Sequence, residues 1–302
     1  MHMIWRRVLI APLLLAPACN LRQLTVDQTA DVLAAGKPAL DREEDVDLMR
    51  EALPAQIKMV DAFLEVSPRN EELLALGAQA SAEYAFGFVE DAMEVAAATD
   101  PDRAQELRRR ARALYLRGMK LGLRILAEED DRFPGVFYGP DAPLREAVAE
   151  LDEDAVAGLF WTAFGLGGAI NLGKDEPWLI AWLPKVEILM ARVEKLDESF
   201  HHAGPLLTFG AFWASRTPMF GGNPELGKKY FERAIAREPA FQMTKVLYAR
   251  TYAVQTQNRA LYQKLLGEVL AANVDAAPEI RLANLLARKR AKRYLAEVDD
   301  LF

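Results

Sequence analysis

The sequence predicts an all-α fold of tetratricopeptide-like helical hairpin repeats around an apolar pore or cavity, and three observations carry that expectation. From Leu40 onward, apolar residues recur three and four positions apart with almost no strict alternation, the period of a helix and not of a strand. Prolines stand where helices open or close, in Ser67-Pro68, Asp100-Pro101, Glu176-Pro177, Gly204-Pro205, Asn223-Pro224 and Glu238-Pro239. Between Pro205 and Pro239, Leu206, Phe209, Gly210 and Trp213 have the spacing of a first repeat helix, and Gly227, Phe231, Ala234 and Pro239 that of a second. Small residues there let two helices approach while the aromatics fill the space between them.

In chain order, the first element is an export signal at residues 1–18, with Arg6-Arg7 ahead of an apolar run from Val8 to Ala18. That run is well below the roughly 20 residues a spanning helix needs. Cys19 follows directly and, as the only cysteine, has no partner for an internal disulfide. Leu15-Ala-Pro-Ala-Cys19 reads as lipobox-like, which makes Cys19 the acylated first residue of the mature chain. Pro17 departs from the usual pattern, and an ordinary secretory signal with an incidental cysteine is the other reading. Acyl chains, at about 0.8 kcal/mol per buried CH₂, would hold the body at a membrane surface. Asn20 is not the aspartate that commonly retains lipoproteins at the inner membrane, so a periplasmic location on the outer membrane is favoured. Residues 19–39, interrupted by Gly36 and Pro38, read as a lipid-anchored tether, and 40–302 as a single helical-repeat domain with no later stretch fit to span a bilayer.

Helices are expected at about 42–66, 70–98, 101–128, 142–150, 153–172, 177–199, 204–215, 224–237, 241–256, 258–272 and 277–297. Arg132 to Pro143 reads as the longest internal loop, and Phe302 closes a last helix that caps the stack. Two weaker repeat units carry Val186, Met190, Val193 and Leu196-Asp197, and Leu76-Gly77 with Ala111, Tyr115 and Gly118. Trp213 and Gly227 stand 14 positions apart, more than the repeat spacing, and the surplus falls in Arg216-Thr-Pro-Met-Phe-Gly-Gly-Asn-Pro224. A turn that only reverses the chain would be polar and shorter. Met219 and Phe220 are therefore expected to touch a partner or a pore mouth, with Gly221 and Gly222 supplying backbone freedom.

Composition excludes some functions. A formal charge of -7 argues against nucleic acid, which is held by clustered cations. The one dense basic run, Arg288 to Arg293, reads as a solvated face suited to the negative end of a helix dipole. Adjacent His201 and His202 point about 100° apart on a helix and make a poor metal grip, so they read as capping or hydrogen-bonding groups at the junction before Gly204-Pro205. Gly165-Leu-Gly-Gly168 lies inside an apolar helix, where it serves close packing and not a phosphate. The acidic runs Glu128 to Asp131 and Asp152 to Asp154 sit at helix boundaries as solvated dipole partners. No catalytic residue, metal or cofactor is expected. Aromatic residues concentrate mid-chain, and the stripes Phe160, Trp161 and Phe164, and Phe209 with Trp213, flank glycine-rich faces that leave room for a ligand.

The order Leu159-Phe-Trp-Thr-Ala-Phe-Gly165, Ile170-Asn171, Leu183-Pro184, Leu196-Asp197, Gly221-Gly222, Ala234-Ile235, Tyr248-Ala249 and Leu282-Ala-Asn284 resembles the T-component (TatT) family. These are lipoproteins associated with tripartite ATP-independent periplasmic (TRAP) transporters. The resemblance covers roughly residues 70 to 302. It implies an all-helical protein that can form a homotrimer, with a hydrophobic pore in each protomer, and that pairs with a periplasmic solute-binding protein. Phe160, Trp161, Phe164, Asn171, Phe209 and Trp213 are then the candidate pore residues, while Phe200-His-His-Ala203 stands where relatives carry more tyrosine. The leading reading is a non-enzymatic, membrane-anchored TRAP component; the alternatives are a repeat scaffold for outer-membrane or envelope assembly and a hydrolase using the acidic runs.

Overall fold

The computed structural model describes residues 19–302, and every regular element among them is helical. The expected signal at 1–18 lies outside the described residues, and Cys19 is described only by its backbone place at the start of α1 (Cys19–Asp41). After α2 (Val46–Val66) comes α3 (Glu71–Tyr84), which runs through a π turn (Ala85–Val89) into α4 (Glu90–Ala97). The long α5 (Pro101–Glu129) is followed by α6 (Phe133–Tyr138), α7 (Asp141–Glu150) and α8 (Val156–Leu172). Next come α9 (Pro177–Ile180), α10 (Leu183–Leu196), α11 (Phe200–Ala214) and α12 (Pro224–Arg237). The chain ends with α13 (Met243–Tyr248) and its own π turn (Ala249–Ala253), α14 (Arg259–Ala271), α15 (Arg281–Ala296) and α16 (Val298–Leu301).

The helix starts follow local chemistry. Asp45, Asn70, Asp100, Asn223 and Asn258 each accept a hydrogen bond from a backbone N–H of the first turn. Two of these caps precede a proline, whose missing N–H costs nothing at that position. Such a cap contributes about 1 kcal/mol.

Helices adjacent in sequence pack on one another, α2 on α3, α10 on α11 and α11 on α12 among them. Gly210 and Gly227 lie so close to Phe231 and Ala214 that α11 and α12 have no room for a side chain between them. Between α5 and α8 the approach is tighter still: a Cβ on Gly165 would stand 2.5 Å from the Tyr115 carbonyl oxygen, and one on Gly168 2.6 Å from the Tyr115 ring. The glycine run of α8 is thus a packing seam. Helix lengths range from 4 to 29 residues, so the stacking is sequential without a constant repeat length.

Several expectations change. The tether at 19–39 is helical and packs on α2, α3 and α15, with Ala30 fully buried. The expected loop at 132–143 contains α6, whose Phe133 and Phe137 are core residues. A single helix at 177–199 is two, broken at Ala181-Trp182. Residues Glu153–Leu172 are long and apolar enough to cross a membrane by composition, but 72% of that window is buried by neighbouring helices, and α8 is the core helix of the body.

The basic run at 288–293 is no solvated face. Arg290, 3% exposed, donates to the Phe86 carbonyl and lies 4.4 Å over the Phe86 ring. Arg293 Nη1 meets Asp91 Oδ1 at 2.5 Å and its other terminal nitrogen reaches Glu94; Lys289 Nζ lies 3.0 Å from Asp91 Oδ2. Tyr294 Oη donates to Glu94 at 2.6 Å. One face of α15 thereby clamps α4, bringing the end of the chain back onto its beginning. Phe302 packs edge-on against Tyr262 of α14 at 5.2 Å.

Candidate functional site

Helix α3 packs on α1 and on α8, α8 packs on α11, and aromatic rings collect along α8. Phe160 is fully buried on α8; it stacks on Phe164 at 5.7 Å and meets Phe200 at 5.1 Å. Trp161 meets Phe164 at 5.9 Å, and Phe164, only partly buried, reaches Phe86 at 6.3 Å. Three of the candidate pore residues therefore share one cluster.

His201, His202 and Ala203 all adopt left-handed backbone, with φ of 49°, 59° and 55°. Non-glycine residues there cost about 1–2 kcal/mol each, so packing must hold the segment in place. It does. Gly204 lies against Phe160, where a Cβ would be 2.6 Å from the ring; Ala203 is fully buried; His202 stacks on Phe241 at 4.8 Å. The consequence is to turn the His201 ring into the aromatic cluster, 4.9 Å from Trp161, with Nε2 3.5 Å from Glu83 Oε1. Neither histidine caps α11, as the sequence had implied, because the start of that helix has no side-chain cap.

Glu83 accepts from Gln79 Nε2 at 2.8 Å on the same oxygen. Its side chain is 37% exposed, so part of the carboxyl meets water while neighbouring atoms crowd the rest. Burial pushes the Glu83 carboxyl up to about 7, against the pull of the Lys37 charge. Burial, with the charges of His202 and Lys37, takes His201 down to about 3. The imidazole is neutral at pH 7, so its contact with Glu83 is not an ion pair. Lys37 and Asp41 of α1 pair with each other at 2.6 Å.

The other candidates lie apart. Phe209 packs on Tyr230 at 5.1 Å and Trp213 on Phe212 at 5.0 Å, with the Arg216 guanidinium 4.2 Å over Phe212. Asn171, exposed at the end of α8, borders a separate cavity of about 450 Å³ with Met93, Arg108, Lys174 and Asp175. Met219 and Phe220 are 86% and 73% exposed on a short 3₁₀ turn (Pro218–Phe220). Gly221 follows with φ 73°, a conformation that costs a glycine little, and Gly222 donates to the Thr217 carbonyl at 3.0 Å.

Glu83, Gln79 and the turned His201 escaped the sequence reading. The available signal was Gln79 and Glu83 four apart within Leu73 to Val89, a run rich in alanine and aromatics where solvated polar residues are otherwise few. The three left-handed residues have no sequence mark beyond the following Gly204-Pro205.

Residues 42–302 match the family described as TRAP transporter T-component. The chain belongs to that family. The T-component is similar along nearly its whole length to an uncharacterized protein of Treponema pallidum (strain Nichols), at 26% identity over 314 residues, covering 97% of this chain and 95% of the relative. Membership makes the protein a component of a TRAP transport system at the cell envelope, and a transport component by family.

Proposed function

We propose that this T-component is a non-enzymatic, lipid-anchored periplasmic protein that binds the solute-binding receptor of its TRAP system and holds a small apolar ligand within its helical body. The family match over 42–302 carries the reading. The aromatic cluster of Phe160, Trp161 and Phe164 supports an apolar ligand, and Met219 and Phe220 offer an exposed apolar pair of the kind that marks contact surfaces. Cys19 supplies the acylation point, and a homotrimer with the loop at a protomer boundary is the assembly this reading expects.

Affinity purification of the full chain from detergent-solubilised cells tests it. A periplasmic solute-binding protein should co-purify, and the double variant Met219→Ala/Phe220→Ala should reduce its recovery severalfold while changing stability by under about 0.5 kcal/mol, as surface substitutions do. Recovery with outer-membrane assembly proteins, and never with a solute receptor, would replace this reading with the envelope scaffold.

A further inference from the structure

We propose that the cavity at the end of α8, with the exposed aromatic residues beside it, is the docking surface for a soluble protein that presents carboxylates around an apolar patch. This rests on the reading of the protein as a receptor-binding T-component, and it names the chemistry by which the receptor is recognised. Two cations of this cavity are unmatched. Arg108 of α5 and Lys174 after α8 both line it, and neither has a hydrogen-bond or ion-pair partner among the described residues. Their neighbours Arg103, Arg110 and Arg112 hold Glu106, Tyr84 and Glu176. Asp175 is the one carboxylate among the lining residues, and Asp91 and Glu94 of α4 are engaged by α15. In a chain of net charge -7, the cavity carries a local excess of positive charge at exposed positions. An acidic partner complements it.

The apolar half of the surface adjoins the cavity. Exposed Trp178 of α9 donates its indole N–H to Glu176 at 2.8 Å, and Glu176 is the carboxylate that holds Arg112. Trp182 bridges from Trp178 at 5.5 Å to Tyr138 at 5.6 Å, and Tyr138 and Ile180 are also exposed. Trp, Tyr and Arg are the residues that carry most binding energy at protein interfaces. Trp182 directly precedes α10, and Glu187 in the next turn acts on Arg216 at the base of the Met219-Phe220 loop, so both apolar patches flank one helix end.

This surface faces away from the anchor. Asp27 of α1 accepts from Ser67 at 2.6 Å and Asn70 at 2.8 Å, beside the last turns of α5, where Arg69 meets Glu128. Lys37, further along α1, bears on Glu83 near the end of α3, so the chain ahead of Asp27 leads off beyond the end of α5. Arg108 lies near the beginning of α5, about 30 Å from Glu128 at about 1.5 Å per residue. A bilayer holding an acylated Cys19 would lie at the opposite end, which makes the partner a soluble one.

Binding of the purified solute-binding receptor to the full chain in detergent, followed by biolayer interferometry, tests this. The dissociation constant should rise about tenfold in Arg108→Glu/Lys174→Glu and in Trp178→Ala, all exposed positions, and binding by the unaltered protein should weaken severalfold between about 50 and about 300 mM salt. The double reversal should flatten that salt dependence; Trp178→Ala should not. Unchanged affinity in both variants would overturn the proposal and leave receptor binding itself intact, whereas no binding by the unaltered protein would remove the receptor reading as well. Binding to vesicles of anionic phospholipid that the reversal abolishes would assign the surface to a membrane, and altered sedimentation of the T-component alone, at constant receptor affinity, would assign it to a second copy. Either result would overturn the proposal.

Discussion

Glu83 and Asp91 lie eight residues apart on one nearly continuous helical stretch, yet they do opposite work. Asp91 faces the closure seam, where Lys289 and Arg293 contact it and Arg290 lies 3.9 Å away. Burial alone would raise its carboxyl, but those three cations outweigh it and hold the group below the usual range. Glu83 has one amide and a neutral imidazole, and burial wins. Between them lies the π turn Ala85–Val89. Its extra residue rotates α4 by about 100° relative to an unbroken helix, so one stretch turns Glu83 toward His201 and Asp91 toward the seam. A carboxylate matched by three cations is held low; one beside an amide and a neutral imidazole is held high.

The largest expected effect lies in the seam. Arg290→Ala removes a buried cation and leaves Glu90, Asp91 and Glu94 short of countercharge, and breaking such a set costs about 3–5 kcal/mol. Urea unfolding should register that loss. A cost near zero would mean the seam is solvated and the contrast with Glu83 is false.

Next comes Gly204→Ala. The new methyl would press on Phe160, and overpacking of this kind costs about 1–3 kcal/mol. Stability alone would not separate it from the seam variant. The His201 imidazole resonance should, moving in Gly204→Ala because that residue holds the left-handed turn, and staying in place in Arg290→Ala.

How much of this was legible depends on the range of the interactions. Helices and their starts rest on spacing and on neighbours such as Asn223-Pro224, which local sequence displays. The glycine seam of α8 was legible for the same reason: Gly165 and Gly168 inside an apolar helix imply a close neighbour, here α5. Arg290 was misread because its partners on α4 lie some 200 positions away, and a cation run has the same appearance whether it faces water or three carboxylates. The contact of Glu83 with His201 was harder to read. It joins α3 to the left-handed turn of α11, and neither segment by itself shows the other. The tether was misread because Gly36 and Pro38 locally oppose a helix that packing against α2, α3 and α15 supports.

The smallest effect is the most direct test of the contrast, because the two carboxylates should tilt the stability curve in opposite directions. The Glu83 carboxyl is raised, so the native state binds more protons than the unfolded chain between about 4.5 and 7. Its contribution is complete below 4.5 and is lost as pH rises through 7. For Asp91 the carboxyl is lowered, so its contribution is present above 3.8 and is lost as pH falls through its native value. His201, taken down to about 3, weakens the fold as pH falls below 6.5, but it does so in every variant and cancels from differences. Urea midpoints for Glu83→Gln and Asp91→Asn, each minus the unaltered protein, should therefore mirror each other. Glu83→Gln gains on the parent between pH 4.5 and 7 and then levels off; Asp91→Asn trails it at neutral pH and closes the gap only in acid. Parallel curves would show that Glu83 has a countercharge after all, and that its surroundings are a second seam.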